Sequence, residues 1–138
     1  MRLLGIDFGE KRVGLAITDE NCKISSSWKT ITYSKNNYQY LIDQIKKLIK
    51  PYEIKFIILG YPLHLSGKES KTSKKVLMFK KILENNLHFE VILWDERNST
   101  IQTTTYLKDF LQLKNSKVKK IIDKMSAQQI LEDYLNSK

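Results

Sequence analysis

Cysteine is almost missing from this chain: Cys22 is the only one among 138 residues. No disulfide framework and no cysteine zinc site can be built from a single thiol, and a reducing compartment fits. Long apolar runs are missing too. No stretch approaches the ~20 consecutive apolar residues of a membrane span. The start of the chain offers only Leu3, Leu4 and Ile6 before Asp7 interrupts them, so no signal peptide is expected. Histidine is confined to His64 and His88; His88 is expected at a loop–strand junction, and His64, near Pro62, could touch a bound ligand. No internal repeat, linker or low-complexity tract is seen. A cytoplasmic protein without membrane association is the expectation.

Acidic residues are the scarcer charge. Fifteen Asp and Glu face 24 Lys and Arg, for a formal net charge of +9. That balance favours a polyanionic partner, nucleic acid being the commonest. The competing explanation is a lysine-rich surface that is merely solvated. Hydrophobic content of 41% with 28% charged residues is ordinary for a globular protein. The length suits one domain, residues 1–138.

Patterning predicts the elements. Residues 2–7 and 13–18 read as strands from their apolar, β-branched runs, with a glycine turn between them, and residues 23–32 as a weaker third strand. Leu41, Ile42, Ile45, Leu48 and Ile49 recur on one face of a helix over residues 36–50, with Pro51 after its end. Residues 54–59 form a nearly continuous apolar run, suited to a strand buried on both faces, and end at Gly60-Tyr61-Pro62. A polar, basic loop over residues 64–75 leads into a helix through Val76, Phe79 and Leu83. Residues 87–94 are the next strand. Asn98-Ser99-Thr100 offers N-cap chemistry for a helix over residues 101–111. A polar loop with Lys114, Lys117, Lys119 and Lys120 precedes a final helix over residues 121–135. The order predicts an α/β fold with a mixed sheet: an antiparallel meander, then two strands joined by helical crossovers. All five glycines are expected at strand ends, turns or loops.

Three acidic stations stand out. Asp7 follows Leu4-Gly5-Ile6 on a probable central strand, where a carboxylate left without a partner would be costly. It sits beside the turn at Gly9, whose backbone lets a phosphate approach. Asp95-Glu96-Arg97 follows Val91-Ile92-Leu93-Trp94, at the carboxyl end of a buried strand where α/β sheets bind ligands. Neighbouring strand positions face opposite ways, so Asp95 and Glu96 share a site only if the strand has ended. The plainer alternative there is an ion pair with Arg97. Asp123 is expected early in the last helix, on the face of Ala127, Ile130 and Tyr134. Its plainer alternative is a first-turn acid favourable to the helix dipole. Asp7, Glu96 and Asp123 together can hold one or two Mg²⁺ or Mn²⁺ ions, which take oxygen ligands and serve phosphodiester hydrolysis. Lys11, Arg12, Lys68, Lys71, Arg97 and the cluster around Lys117 surround these stations and could bind a phosphate backbone. For any one lysine, a solvated surface charge is the competing explanation. Gly9, Gly60, Pro62 and Asp95 are supporting positions.

With those residues in view, the chain resembles the YqgF/RuvX family of RNase H-like proteins. The resemblance rests on Leu4-Gly5-Ile6-Asp7-Phe8-Gly9 with Lys11-Arg12-Val13-Gly14, on Gly60-Tyr61-Pro62 followed by Gly67, on Asp95-Glu96-Arg97-Asn98-Ser99-Thr100, and on Asp123-Lys124-Met125-Ser126-Ala127. It implies a five-stranded RNase H-like sheet flanked by helices. It implies a nuclease linked to 5′-end maturation of pre-16S ribosomal RNA, with Asp7, Glu96 and Asp123 at the family's acidic positions and Arg12 and Arg97 at its basic ones. The immature small ribosomal subunit becomes a candidate partner. A Holliday-junction resolvase acting as a homodimer is the second reading, and a non-catalytic ribosome-assembly factor the third. Two departures are modest: Ser126 stands where a small apolar residue is usual, and Tyr61 sits inside the Gly-x-Pro turn. Many RNase H-like nucleases carry a further acid at the end of the fourth strand, where this chain has Gly60-Tyr61-Pro62.

Overall fold

The computed structural model describes residues 1–61, 71–95 and 116–137. Among the described residues, five strands and three helices follow in order: β1 (Arg2–Phe8), β2 (Arg12–Thr18), β3 (Ser25–Thr32), α1 (Tyr38–Ile49), β4 (Ile54–Tyr61), α2 (Lys71–Leu87), β5 (Val91–Asp95) and α3 (Ser116–Asn136). The sheet order is β3-β2-β1-β4-β5. β1, β2 and β3 form an antiparallel meander, while β4 and β5 run parallel to β1. This is the predicted mixed sheet. Because β1, β4 and β5 are parallel, their carboxyl ends lie along one rim.

Both sheet faces are covered, which is why β1 reads as a nearly unbroken apolar run rather than an alternating one. On one face, Leu4, Ile6, Phe8, Val13, Leu15, Ile57 and Leu59 pack against Leu41, Ile42 and Ile45 of α1 and Val76, Phe79 and Leu83 of α2. Phe79 is fully buried and stacks on Phe8 with ring centroids 4.5 Å apart. On the other face, Leu3, Ala16 and Ile58 meet Ala127, Ile130, Leu131 and Tyr134 of α3.

Several boundaries differ from the sequence reading. α1 starts at Tyr38 because Asn37 caps it, its side chain accepting from the Tyr40 amide at 3.3 Å. α2 begins at Lys71, inside the expected loop, and runs to Leu87. Its first turn, Lys-Thr-Ser-Lys, carries no apolar period to betray it. β5 accordingly starts at Val91 rather than 87 and extends to Asp95, which pairs with Tyr61. α3 begins at Ser116, so Lys117, Lys119 and Lys120 are helical rather than looped. The glycine expectation is also corrected: Gly5 and Gly14 lie inside β1 and β2, while Gly60 stands at the end of β4 as expected, and Gly67 lies outside the described residues. The helix expected over residues 101–111 and its cap at Asn98-Ser99-Thr100 lie outside the described residues.

Candidate active site

Asp7 is the penultimate residue of β1, partly buried, and pairs in register with Gly14 of β2. Residues directly opposite on an antiparallel pair share a face. A Cβ built on Gly14 would come within 2.0 Å of the Asp123 carbonyl oxygen, and one on Gly5 within 3.1 Å of the Ala127 carbonyl. Gly5, Asp7 and Gly14 therefore face α3. The helix lies so close to β2 that hydrogen is the only side chain Gly14 can carry.

Three polar contacts set the position of α3 over this face. Thr30 Oγ1 of β3 donates to the Lys120 carbonyl at 2.6 Å, and Gln128 Nε2 donates to the Ser25 carbonyl at 3.2 Å. Between them, Arg12 Nε donates to Asp123 Oδ2 at 2.7 Å, a charge-assisted bond linking residues 111 apart in sequence. Asp123 is 2% exposed and Arg12 27%. Asp123 is therefore not a first-turn acid: α3 begins seven residues earlier, about two turns. Its buried carboxylate is paired with a specific cation, as burying a lone charge would cost several kcal/mol.

Asp7 and Asp123 thus meet the same face near the carboxyl rim of the parallel strands. Asp95 is the last residue of β5, on that rim. Trp94 packs edge-on against Tyr134 of α3, ring centroids 5.6 Å apart, which carries the α3 face across to β5. Glu96, Arg97, Lys68 and Pro62 lie outside the described residues, and of Lys117 only the helical backbone is described. Gly60 is paired with Trp94 inside the sheet. Among the described residues, no group of three His, Cys, Asp or Glu stands close enough to hold a metal ion. Arg12, expected on nucleic acid, is turned onto Asp123.

The turn after Asp7 is held from two sides. Tyr33 donates its hydroxyl to the Gly9 carbonyl at 2.5 Å, and its amide donates to the Lys11 carbonyl at 3.0 Å. Burial drives the Tyr33 phenol well above its usual pKa. From α2, Lys75 donates to Glu10. Lys11 itself is exposed. The sequence reading missed Tyr33, Glu10 and Lys75, because nothing in the linear order of 33 and 75 signals a meeting at residues 9–11. Gly14 was seen, but as a turn glycine.

Comparison with known proteins agrees with this architecture. The described fold resembles T. thermophilus RuvC in complex with a Holliday junction substrate, with a TM-score of 0.60 at 12% identity over 99% of this chain and 94% of that one. It also resembles the fowlpox virus Holliday junction resolvase, with a TM-score of 0.55 at 17% identity over 100% of both chains. At such identities the likeness is one of fold: an RNase H-like sheet. Sequence relatives are nearer. A Mesomycoplasma hyopneumoniae protein named "Putative pre-16S rRNA nuclease" is 39% identical over 137 residues, covering 99% of this chain and 95% of its own. One of the same name from Thermoanaerobacter pseudethanolicus is 35% identical, covering 99% and 97%. The family model RuvX, described as Holliday junction resolvase, matches residues 1–137, and this chain belongs to that family.

Proposed function

We propose that this chain is a nuclease that hydrolyses phosphodiester bonds and acts on pre-16S rRNA in 5′-end maturation. The observation that carries the reading is the placement of Asp7 and Asp123 on one face, either side of Gly14, near the carboxyl rim of the parallel strands, where α/β sheets bind ligands. RNA is favoured over a DNA junction because the relatives at 35–39% identity carry the rRNA name, while the likeness to RuvC, at 12%, is one of fold.

The residues fit a hard divalent cation. The donors are carboxylate oxygens, and Asp123 is a buried carboxylate already partnered by a positive charge. Asp7 and Asp123 would hold Mg²⁺ or Mn²⁺ together with Glu96, which follows the end of β5 directly in the chain. When bound, such an ion neutralises phosphate charge and makes water more acidic. The chain's own contribution is to hold the carboxylates ready: β1 fixes Asp7, α3 fixes Asp123, and Arg12 holds the Asp123 carboxylate in place through its bond to Oδ2. Lys11, Lys68, Arg97 and Lys117 are assigned to the phosphate backbone, with Gly9, Gly60, Pro62 and Asp95 supporting. The whole chain, 1–138, works as one domain in the cytoplasm. No described helix is long and apolar enough to cross a membrane.

The family's description, Holliday junction resolvase, supplies the second reading; a resolvase would work as a pair of copies with the same acids. The test is cleavage of a pre-16S rRNA leader fragment and a four-way DNA junction, side by side, with Mg²⁺ or Mn²⁺, for wild type and Asp7→Asn. RNA cut by wild type alone supports the proposal. Junction cut instead promotes the resolvase. Equal cleavage by Asp7→Asn removes the assigned site. If neither substrate is cut, the same comparison on immature small subunits separates a particle-dependent enzyme from a binding factor.

A further inference from the structure

Two ammonium groups from two parts of the fold meet one carboxylate beside the turn that follows Asp7, and a third lysine, Lys11, is its neighbour in that turn. Lys75 of α2 bonds Glu10 Oε1, and Lys35, just past β3, stands 3.9 Å from Oε2. Lys11, the next residue in the turn, also bears electrostatically on Glu10. Three positive charges against one negative leave the group at +2. All four side chains reach solvent: Glu10 is 47% exposed, Lys35 60%, Lys75 35%, and Lys11 is exposed.

Stability does not explain this arrangement. An exposed ion pair contributes little, about 0–1 kcal/mol. One lysine would satisfy one glutamate, and each further ammonium repels the first. The surplus charge is nonetheless held in place. The Tyr33 bonds to Gly9 and Lys11 fix the turn, and Glu10 tethers Lys75 to it. Lys75, held this way, loses less side-chain freedom when it meets an anion. The group follows the carboxyl end of β1, three residues beyond Asp7 in the chain, with Lys75 reaching it from α2 on the sheet face opposite α3.

We propose that Lys11, Lys35 and Lys75, tethered by Glu10, form a seat for the phosphates flanking the scissile bond, where the lysines exchange the Glu10 carboxylate for nucleic-acid phosphate. This rests on the nuclease reading and deepens it: the seat recognises backbone charge rather than base sequence. Glu10 acts as a placeholder anion in the free protein.

The test is equilibrium binding, read by fluorescence anisotropy in EDTA so that cleavage does not intervene. The probe is a labelled RNA hairpin, with a DNA hairpin of the same sequence alongside. Lys35→Ala combined with Lys75→Ala should weaken binding and lower the slope of log K against log salt by about 2, one per lost phosphate contact. Lys46→Ala with Lys47→Ala, exposed on the last turn of α1 at the opposite end of the sheet, should leave the slope unchanged. Glu10→Gln gives the sharper sign: removing the competing carboxylate should tighten binding, whereas a merely structural clamp would predict weaker binding or none gained. An unaltered slope in the double variant, or Glu10→Gln that binds no tighter than wild type, overturns the seat while leaving the cleavage comparison to stand or fall on Asp7. Failure of wild type to bind either probe overturns the seat outright.

Discussion

Replacing Gly14 by alanine adds one methyl group where the structure has no room for it. The new Cβ would stand 2.0 Å from the Asp123 carbonyl oxygen, 2.5 Å from its carbon and 3.2 Å from the Lys124 amide nitrogen. Real Cβ contacts essentially never fall below 3.0 Å, so α3 must retreat by 3.0 − 2.0, about 1 Å. The obstruction is helix backbone, which cannot rotate aside as a side chain would. Retreat strains the Thr30–Lys120 and Gln128–Ser25 contacts and carries Asp123 away from Asp7. Overpacking of this kind costs ~1–3 kcal/mol, reduced by ~0.4–1 kcal/mol because alanine restricts the unfolded chain. For a chain of this length, each kcal/mol lowers Tm by about 3 °C. An ångström of misplacement in a catalytic group costs roughly a hundredfold in rate. Thermal melting by circular dichroism and cleavage of the rRNA leader fragment read the two effects. Gly5→Ala is the internal comparison: its Cβ would meet Ala127 and Leu131 at 3.1 Å, a matter of tenths of an ångström, so its effect should be clearly smaller. If Gly14→Ala melts with wild type and cleaves at the wild-type rate, the close approach of α3 to β2 is refuted, and with it the geometry that joins the two acids.

Other perturbations follow from the same contacts. Arg12→Ala removes a cation from a carboxylate only 2% exposed, costing ~1.5–3 kcal/mol. If Asp123 also receives a divalent ion, Mg²⁺ should restore more of the lost Tm in this variant than it adds to wild type, and equal shifts in both would count against that ligand. Phe79→Ala should destabilise by ~3–5 kcal/mol in urea unfolding, since the ring is fully buried against Phe8; a loss under 1 kcal/mol would mean the α2 face is loosely packed. Asp133 on α3 has its pKa raised, chiefly by burial; a bond from Gln129 at 3.0 Å opposes this, and the Glu132 charge adds to it. Its Oδ2 is buried without a hydrogen-bond partner. Native and unfolded states are both protonated below the ordinary value of 3.8. As pH rises past it the unfolded chain ionises first, so native stability falls until the higher folded pKa is passed. Asp133→Asn should therefore melt above wild type at pH 7 and approach it at pH 3, and a difference independent of pH would remove burial of the charge as its cause.

Sequence alone determined the parts whose signal is local. The strands at residues 2–7 and 54–59 were legible because burial on both faces demands unbroken apolar runs, and α1 because its apolar residues recur with the helical period. Asp7 stood out because a carboxylate breaks such a run at its end. The mixed topology followed from element order, since an antiparallel meander and helical crossovers have different connection lengths. Tertiary structure decided what depends on distance in space. Lys71-Thr72-Ser73-Lys74 has no apolar period, so the first turn of α2 was hidden. Gly14 looks like any turn glycine until α3 is laid across it, because a requirement for no side chain comes from the neighbour, not from the strand. Asp123 could have been an exposed first-turn acid on sequence grounds; its burial and its bond to Arg12 arise only when α3 packs over β2. The gathering of Lys35 and Lys75 at Glu10 is likewise invisible in the chain, since charges separated by long stretches of sequence acquire a common field only after the sheet and helices bring them to one rim.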